Sequence, residues 1–80
     1  MNDLEIVRQI GELADEEHQL EDSHEGQALS EAELARLRAI EVALDQCWDL
    51  LRQRRARRAA GQDPDQAEVR PESVVEGYRQ

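Results

Sequence analysis

Between two runs of heptad-spaced apolar residues, the segment HEGQALSEAEL, from His24 to Leu34, stops one helix and starts another. Gly26 suits the residue just past a helix C-terminus, where a left-handed backbone is common. Ser30 followed by Glu33 is the capping-box pattern, in which each side chain satisfies the other residue's backbone N–H. Leu29 and Leu34 take the two positions of a hydrophobic staple around that cap. A connection of only about five residues leaves the flanking helices no choice but to lie side by side, antiparallel.

The first helix is expected over 3–24, with Ile6, Ile10, Leu13, Glu17, Leu20 and His24 alternately four and three residues apart, hence on one stripe. Asn2 is placed to cap it, with Glu5 three residues on, and Asp3 and Glu5 suit the positive end of the helix dipole. Gly11 is a local flaw, costing about 1 kcal/mol relative to alanine in a helix interior. The second helix is expected over 31–60, roughly 45 Å long, and Gly61 with Asp63-Pro64 ends it. Leu34, Leu37, Ile40, Leu44, Cys47, Trp48 and Leu51 form its broad apolar face. Counting outward from a turn at 25–30 sets Leu20 against Leu37, Leu13 against Leu44, and Ile10 and Ile6 against Trp48 and Leu51. Glu17 then meets Arg38 and Glu41 in a polar layer, and Trp48 stands at the centre of packing.

The expected fold is therefore all-α: a coiled-coil-like antiparallel two-helix hairpin over 1–60, followed by a tail over 61–80 that is either flexible or folded back as a short third helix. Eighty residues make a marginal core, and a hairpin pairing with a second copy through Leu44, Trp48 and Leu51 into a four-helix arrangement buries what one chain leaves open. Homo-oligomerisation is thus an expectation of size as much as of pattern. In the tail, Val69, Val74, Val75 and Tyr78 are the apolar residues available for docking.

The chain carries nineteen acids against ten bases, all arginine, for a net charge of −9. Five of those arginines, Arg52, Arg54, Arg55, Arg57 and Arg58, fall within seven positions at the end of the second helix. They form a basic island in an acidic molecule, and the functional reading is a docking site for a larger protein. They also suit the negative pole of the helix dipole and could pair with Asp3 and Glu5. Residues 1–49 hold fourteen acids and three arginines, which repels DNA at long range and makes a nucleic-acid partner the weaker alternative. Glu21 and His24 have the Glu-x-x-His spacing of carboxylate metal sites, with Glu17 one turn earlier. A metal-binding hairpin oligomer built on Glu17, Glu21 and His24 is therefore the rival reading, although His24 sits beside a solvated loop. Asp15, Glu17 and His18 lack a recognisable nucleophile or oxyanion donor nearby, so no enzyme, catalytic residue or cofactor is expected. Cys47, the single cysteine, reads as a small core hydrophobe of a reducing, cytoplasmic compartment. The N-terminus lacks a signal-peptide pattern, and no stretch reaches the roughly 20 apolar residues of a membrane span.

The segment LDQCWDLLRQRRARRAAG from Leu44 to Gly61, the following DPDQAEV, the closing VVEGY and the DEEH at Asp15 to His18 resemble a family of short proteins from high-G+C actinobacteria. That family is defined only as a domain of unknown function. The resemblance covers nearly the whole chain and implies that Cys47-Trp48-Asp49 and the VVEGY segment belong to one recurring unit, with the tail docked on the hairpin. It implies no activity, substrate or cofactor.

Overall fold

The first helix, α1 (Asp3–Asp22), is capped as its sequence demands. The Asn2 side chain accepts from the Glu5 backbone N–H at 2.8 Å, and the Glu5 carboxylate accepts from the Asn2 N–H at 3.0 Å. The second helix, α2 (Glu31–Ala59), opens with the same reciprocal device between Ser30 and Glu33. Its C-terminus closes on Gly61 at φ +73°, with Gln62 N–H donating to the Arg57 carbonyl and Gly61 N–H to that of Arg58. This is the Schellman arrangement, and a side chain at residue 61 would be strained in it. The computed structural model describes residues 1–22 and 27–75. The expected helix stop at Gly26, the metal candidate His24, and Tyr78 with the end of the VVEGY segment lie outside the described residues.

α1 and α2 pack as an antiparallel hairpin, and beyond it the chain turns back along α2. Asp63 caps a single 3-10 turn at Pro64–Gln66, accepting from Asp65 N–H. An extended stretch follows, and then a one-turn helix, α3 (Glu72–Val75). Among the described residues there is no strand, and no helix is long and apolar enough to cross a membrane.

The buried stripe of α2 keeps Ile40 and Cys47 of the expected face but is centred away from Trp48. Ile40, Cys47, Leu50 and Arg54 are buried together with Asp49, whereas Trp48 is 49% exposed. Ile6 of α1, fully buried, packs with Cys47 and Leu50, and Ile10, Leu13, Leu51 and Ala67 close over that cluster. The cause is the tail. Because α2 must serve α1 on one side and residues 63–75 on the other, its inward arc is centred between the two, and this turns Trp48 to the rim. Trp48 is thus not the centre of packing within one chain; Leu44 and Leu51 are partly buried beside it.

The loop-end register also differs. The link between the helices there is Glu16 with Arg36, a two-bond pair at 2.5 and 2.7 Å, and Glu17 has no ion pair with Arg38 among the described residues. α1 is described as helical only to Asp22. Both side chains of the pair are about half exposed, so the contact sets register more than it adds stability.

Cys47 is 8% exposed, and burial pushes its thiol above the ordinary value. Since the thiolate is the reactive form, Cys47 in the folded protein is expected to react with an aromatic disulfide reagent only at the rate of global unfolding. Immediate, stoichiometric colour release in buffer would show the core around Ile6 to be open.

Candidate functional site

Two polar clasps hold the tail, and together they decide which arginines are left to face outward. The first is built on Asp49, whose spacing from Gln46 and Gln53 puts all three on one stripe of α2. Asp49 is fully buried. Arg70 forks onto it, with Nε donating to Oδ2 at 2.9 Å and an η-nitrogen to Oδ1. Gln53 donates to Asp49 Oδ2 at 3.0 Å and to the Glu68 carbonyl at 2.8 Å, and Gln46 donates to the Arg70 carbonyl at 3.2 Å. The Arg70 guanidinium, outweighing burial and aided by Gln53, holds the Asp49 carboxyl below the usual carboxylate range.

The second clasp is built on Arg54, 6% exposed. Its Nε donates to Asp3 Oδ1 at 2.5 Å, and Nη1 donates to Asp65 Oδ1 at 3.0 Å and to the Pro64 carbonyl at 3.2 Å. Arg58 reaches the same Asp3 from one turn further on, at 2.8 Å. The hydrogen bond from Arg54, then that from Arg58, lowers the Asp3 carboxyl, while Asp3 first and Asp65 second raise the Arg54 guanidinium. A single residue, Arg54, thus ties the start of α1, the end of α2 and the 3-10 turn together.

The five arginines of the basic island therefore divide. Arg54 is spent inside the chain and is not available to a partner, and Arg58 is half exposed but engaged by Asp3. Arg52 and Arg55 are exposed and Arg57 is partly so. Arg52, Arg55 and Arg58 line a groove of about 500 Å³ whose floor is Val7, Trp48 and Leu51, with Asp3 at its edge. Of the residues expected at an oligomer interface, Trp48 and Leu51 belong to this groove and Leu44 lies one turn back on the same helix. The arrangement combines an indole, two aliphatic side chains and three guanidinium groups, which is the composition of a surface that takes an apolar residue flanked by carboxylates.

At the opposite end, Glu17 is partly buried, Glu21 is exposed, and His18 pairs with Asp22 at 3.0 Å on the surface. Among the described residues no group of three or more His, Cys, Asp or Glu side chains converges on a point where a metal ion would sit.

The sequence reading missed the Asp49–Arg70 clasp. Its signal was available: Gln46, Asp49 and Gln53 form a polar stripe at helical spacing beside the apolar arc, as a helix side that receives backbone would require.

Relatives of this chain include Uncharacterized protein Rv0898c of Mycobacterium tuberculosis (strain ATCC 25618 / H37Rv) and Uncharacterized protein Mb0922c of Mycobacterium bovis (strain ATCC BAA-935 / AF2122/97). Each is 51% identical over 77 residues, covering 95% of this chain and 88% of the relative. No solved structure matches it. The model described as "Protein of unknown function (DUF2630)" matches residues 2–80, and the chain belongs to that family.

Proposed function

We propose that this protein is a non-enzymatic interaction module of the cytoplasm that docks on a larger protein through the groove at the basic end of its hairpin. The observation that carries the reading is the half-exposed Trp48 set among Val7, Leu51, Arg52, Arg55 and Arg58. Leaving an indole in water forfeits apolar burial that a chain this small needs, and a partner covering it recovers that energy. The three guanidinium groups around it select a partner surface that is acidic and carries an apolar residue, and attraction at that end survives the overall charge of −9 only at short range.

The test is capture from a lysate of the source organism at near-physiological salt after nuclease treatment. The wild type is compared with the triple variant Arg52→Gln, Arg55→Gln, Arg57→Gln, which leaves Arg54 and Arg58 in their contacts with Asp3. A protein recovered by the wild type is then purified and titrated. Loss of the three charges is expected to weaken its binding about tenfold or more; equal affinity for both forms removes the basic end from the docking surface.

A further inference from the structure

We infer that the groove also takes a second copy of this chain, in a two-fold antiparallel dimer centred on Trp48 that pairs Arg55 of each copy with Glu41 of the other. This deepens the docking reading by naming one occupant of the same surface, and it rests on that surface being an interface at all.

The spacing along α2 carries the argument. Glu41 and Arg55 stand seven residues to either side of Trp48, so all three lie on one stripe of the helix. A two-fold axis at Trp48 reverses one helix against the other, and each Arg55 then lies beside the partner copy's Glu41. Leu44 and Leu51 fall within the two heptads so matched and fill the space between the charges and the indole. Both charged residues are exposed, and among the described residues neither has an ion-pair partner within the chain.

Charge complementarity favours the same occupant. The basic groove needs an acidic surface, and residues 1–49 of this chain hold fourteen acids to three arginines. An antiparallel pairing turns the basic end of each hairpin toward the loop-end side of the other, where Glu12, Asp15 and Glu41 are exposed. Space on the other helix of the open face agrees. Gly11, one turn along α1 from the exposed Val7, is itself exposed, and nothing lies within 4 Å of where its Cβ would stand. Packing inside one chain therefore does not account for a glycine there, whereas close approach of another helix does. The available area suffices. The molecule measures 50 × 25 × 17 Å, and a face of that size is large enough to hold the roughly 800 Å² per partner of a stable interface.

The pair is isologous, so reversing one charge creates two like-charge contacts and reversing both restores two attractive ones. The experiment is sedimentation equilibrium of the full chain, with Trp48 emission followed on dilution, for the wild type, Glu41→Arg, Arg55→Glu and the double reversal. Since both sites are exposed, far-ultraviolet circular dichroism is expected to show equal helix content in all four. At about 100 μM the wild type is expected at twice the 9.2 kDa chain mass, with Trp48 emission shifting to the red as dilution passes the micromolar range. Each single reversal is expected to raise the dissociation constant about 10–30-fold, and the double reversal to return it to within about threefold of wild type. A wild type of single-chain mass at that concentration overturns the inference, and so does a dimer indifferent to both single reversals or not rescued by the double. A wild type that stays a monomer yet loses a captured partner on removal of Arg52, Arg55 and Arg57 overturns this inference alone. The docking reading would then stand.

Discussion

Replacing Arg70 by methionine is expected to destabilise the fold by about 3 kcal/mol, several times the effect of replacing Asp49 by asparagine, although both substitutions break the same ion pair. The two partners differ in what they leave behind. Asp49 is fully buried, whereas the Arg70 side chain keeps about a third of its surface in water. Without Arg70, a carboxylate stays in the interior with Gln53 still donating to it and Arg52 acting at longer range, and poorly compensated buried charges cost about 3–5 kcal/mol, less where water can enter. Without the Asp49 charge, Arg70 turns to solvent, and the loss is about 1 kcal/mol of hydrogen bonding. In a chain of this size total stability is of the order of 4–12 kcal/mol, so urea denaturation monitored by circular dichroism separates the two variants readily.

The pH dependence fixes the cause. In the wild type Arg70 holds the Asp49 carboxyl below its unfolded value. The stabilisation is therefore complete above about pH 4 and drains away as the pH falls through the lower folded value. In Arg70→Met the same carboxyl loses the largest of the influences that lower it while the burial that raises it remains, so acid costs that variant less stability than it costs the wild type. The stability gap between wild type and Arg70→Met is expected to narrow as the pH is lowered from neutrality through about 4. A gap that stays constant would assign the loss to packing of the arginine stem.

How much of this was legible in the chain depends on the distance over which each feature is decided. The starts of both helices and the end of α2 were, because Asn2 with Glu5, Ser30 with Glu33, and Gly61 satisfy backbone groups within five residues of themselves. The hairpin followed from a short connection between two amphipathic helices. What heptad counting could not resolve was rotation. The expected face of α2 already held Ile40 and Cys47, but its centre lay toward Leu44, Trp48 and Leu51, whereas the buried arc is centred toward Leu50 and Arg54, a turn of about 100° around the helix; both centres carry apolar side chains. The choice between them is made by the returning tail, through Asp49 with Arg70 and Arg54 with Asp65, contacts that join residues 21 and 11 positions apart. For the same reason the basic island looked uniform in the sequence. Nothing local separates Arg54 from Arg55, and only the position of Asp3 at the far end of α1 turns one into a tie and leaves the other on the surface.

That rotation makes its own prediction, in which a smaller side chain outweighs a larger one. Ile6→Ala is expected to cost about 3–4 kcal/mol, because the side chain is completely enclosed by Cys47, Leu50 and the half-buried residues around them, and its loss leaves a cavity that a close-packed cluster closes only in part. Trp48→Ala removes more atoms, yet water already covers half of the residue, and the groove beside it fills with water instead of remaining empty. Its cost to an isolated chain is expected at about 1–1.5 kcal/mol. Equilibrium denaturation at protein concentrations well below the micromolar range, followed at 222 nm so that both variants report through the same helices, gives the ranking directly. If Trp48→Ala proved the more damaging under those conditions, the indole would have to lie inside the hairpin and the stripe through Ile40, Cys47 and Leu50 would not be its core. If the ranking holds at low concentration and the penalty at Trp48 grows as protein is added, the additional burial comes from another molecule, since nothing within one chain changes with concentration.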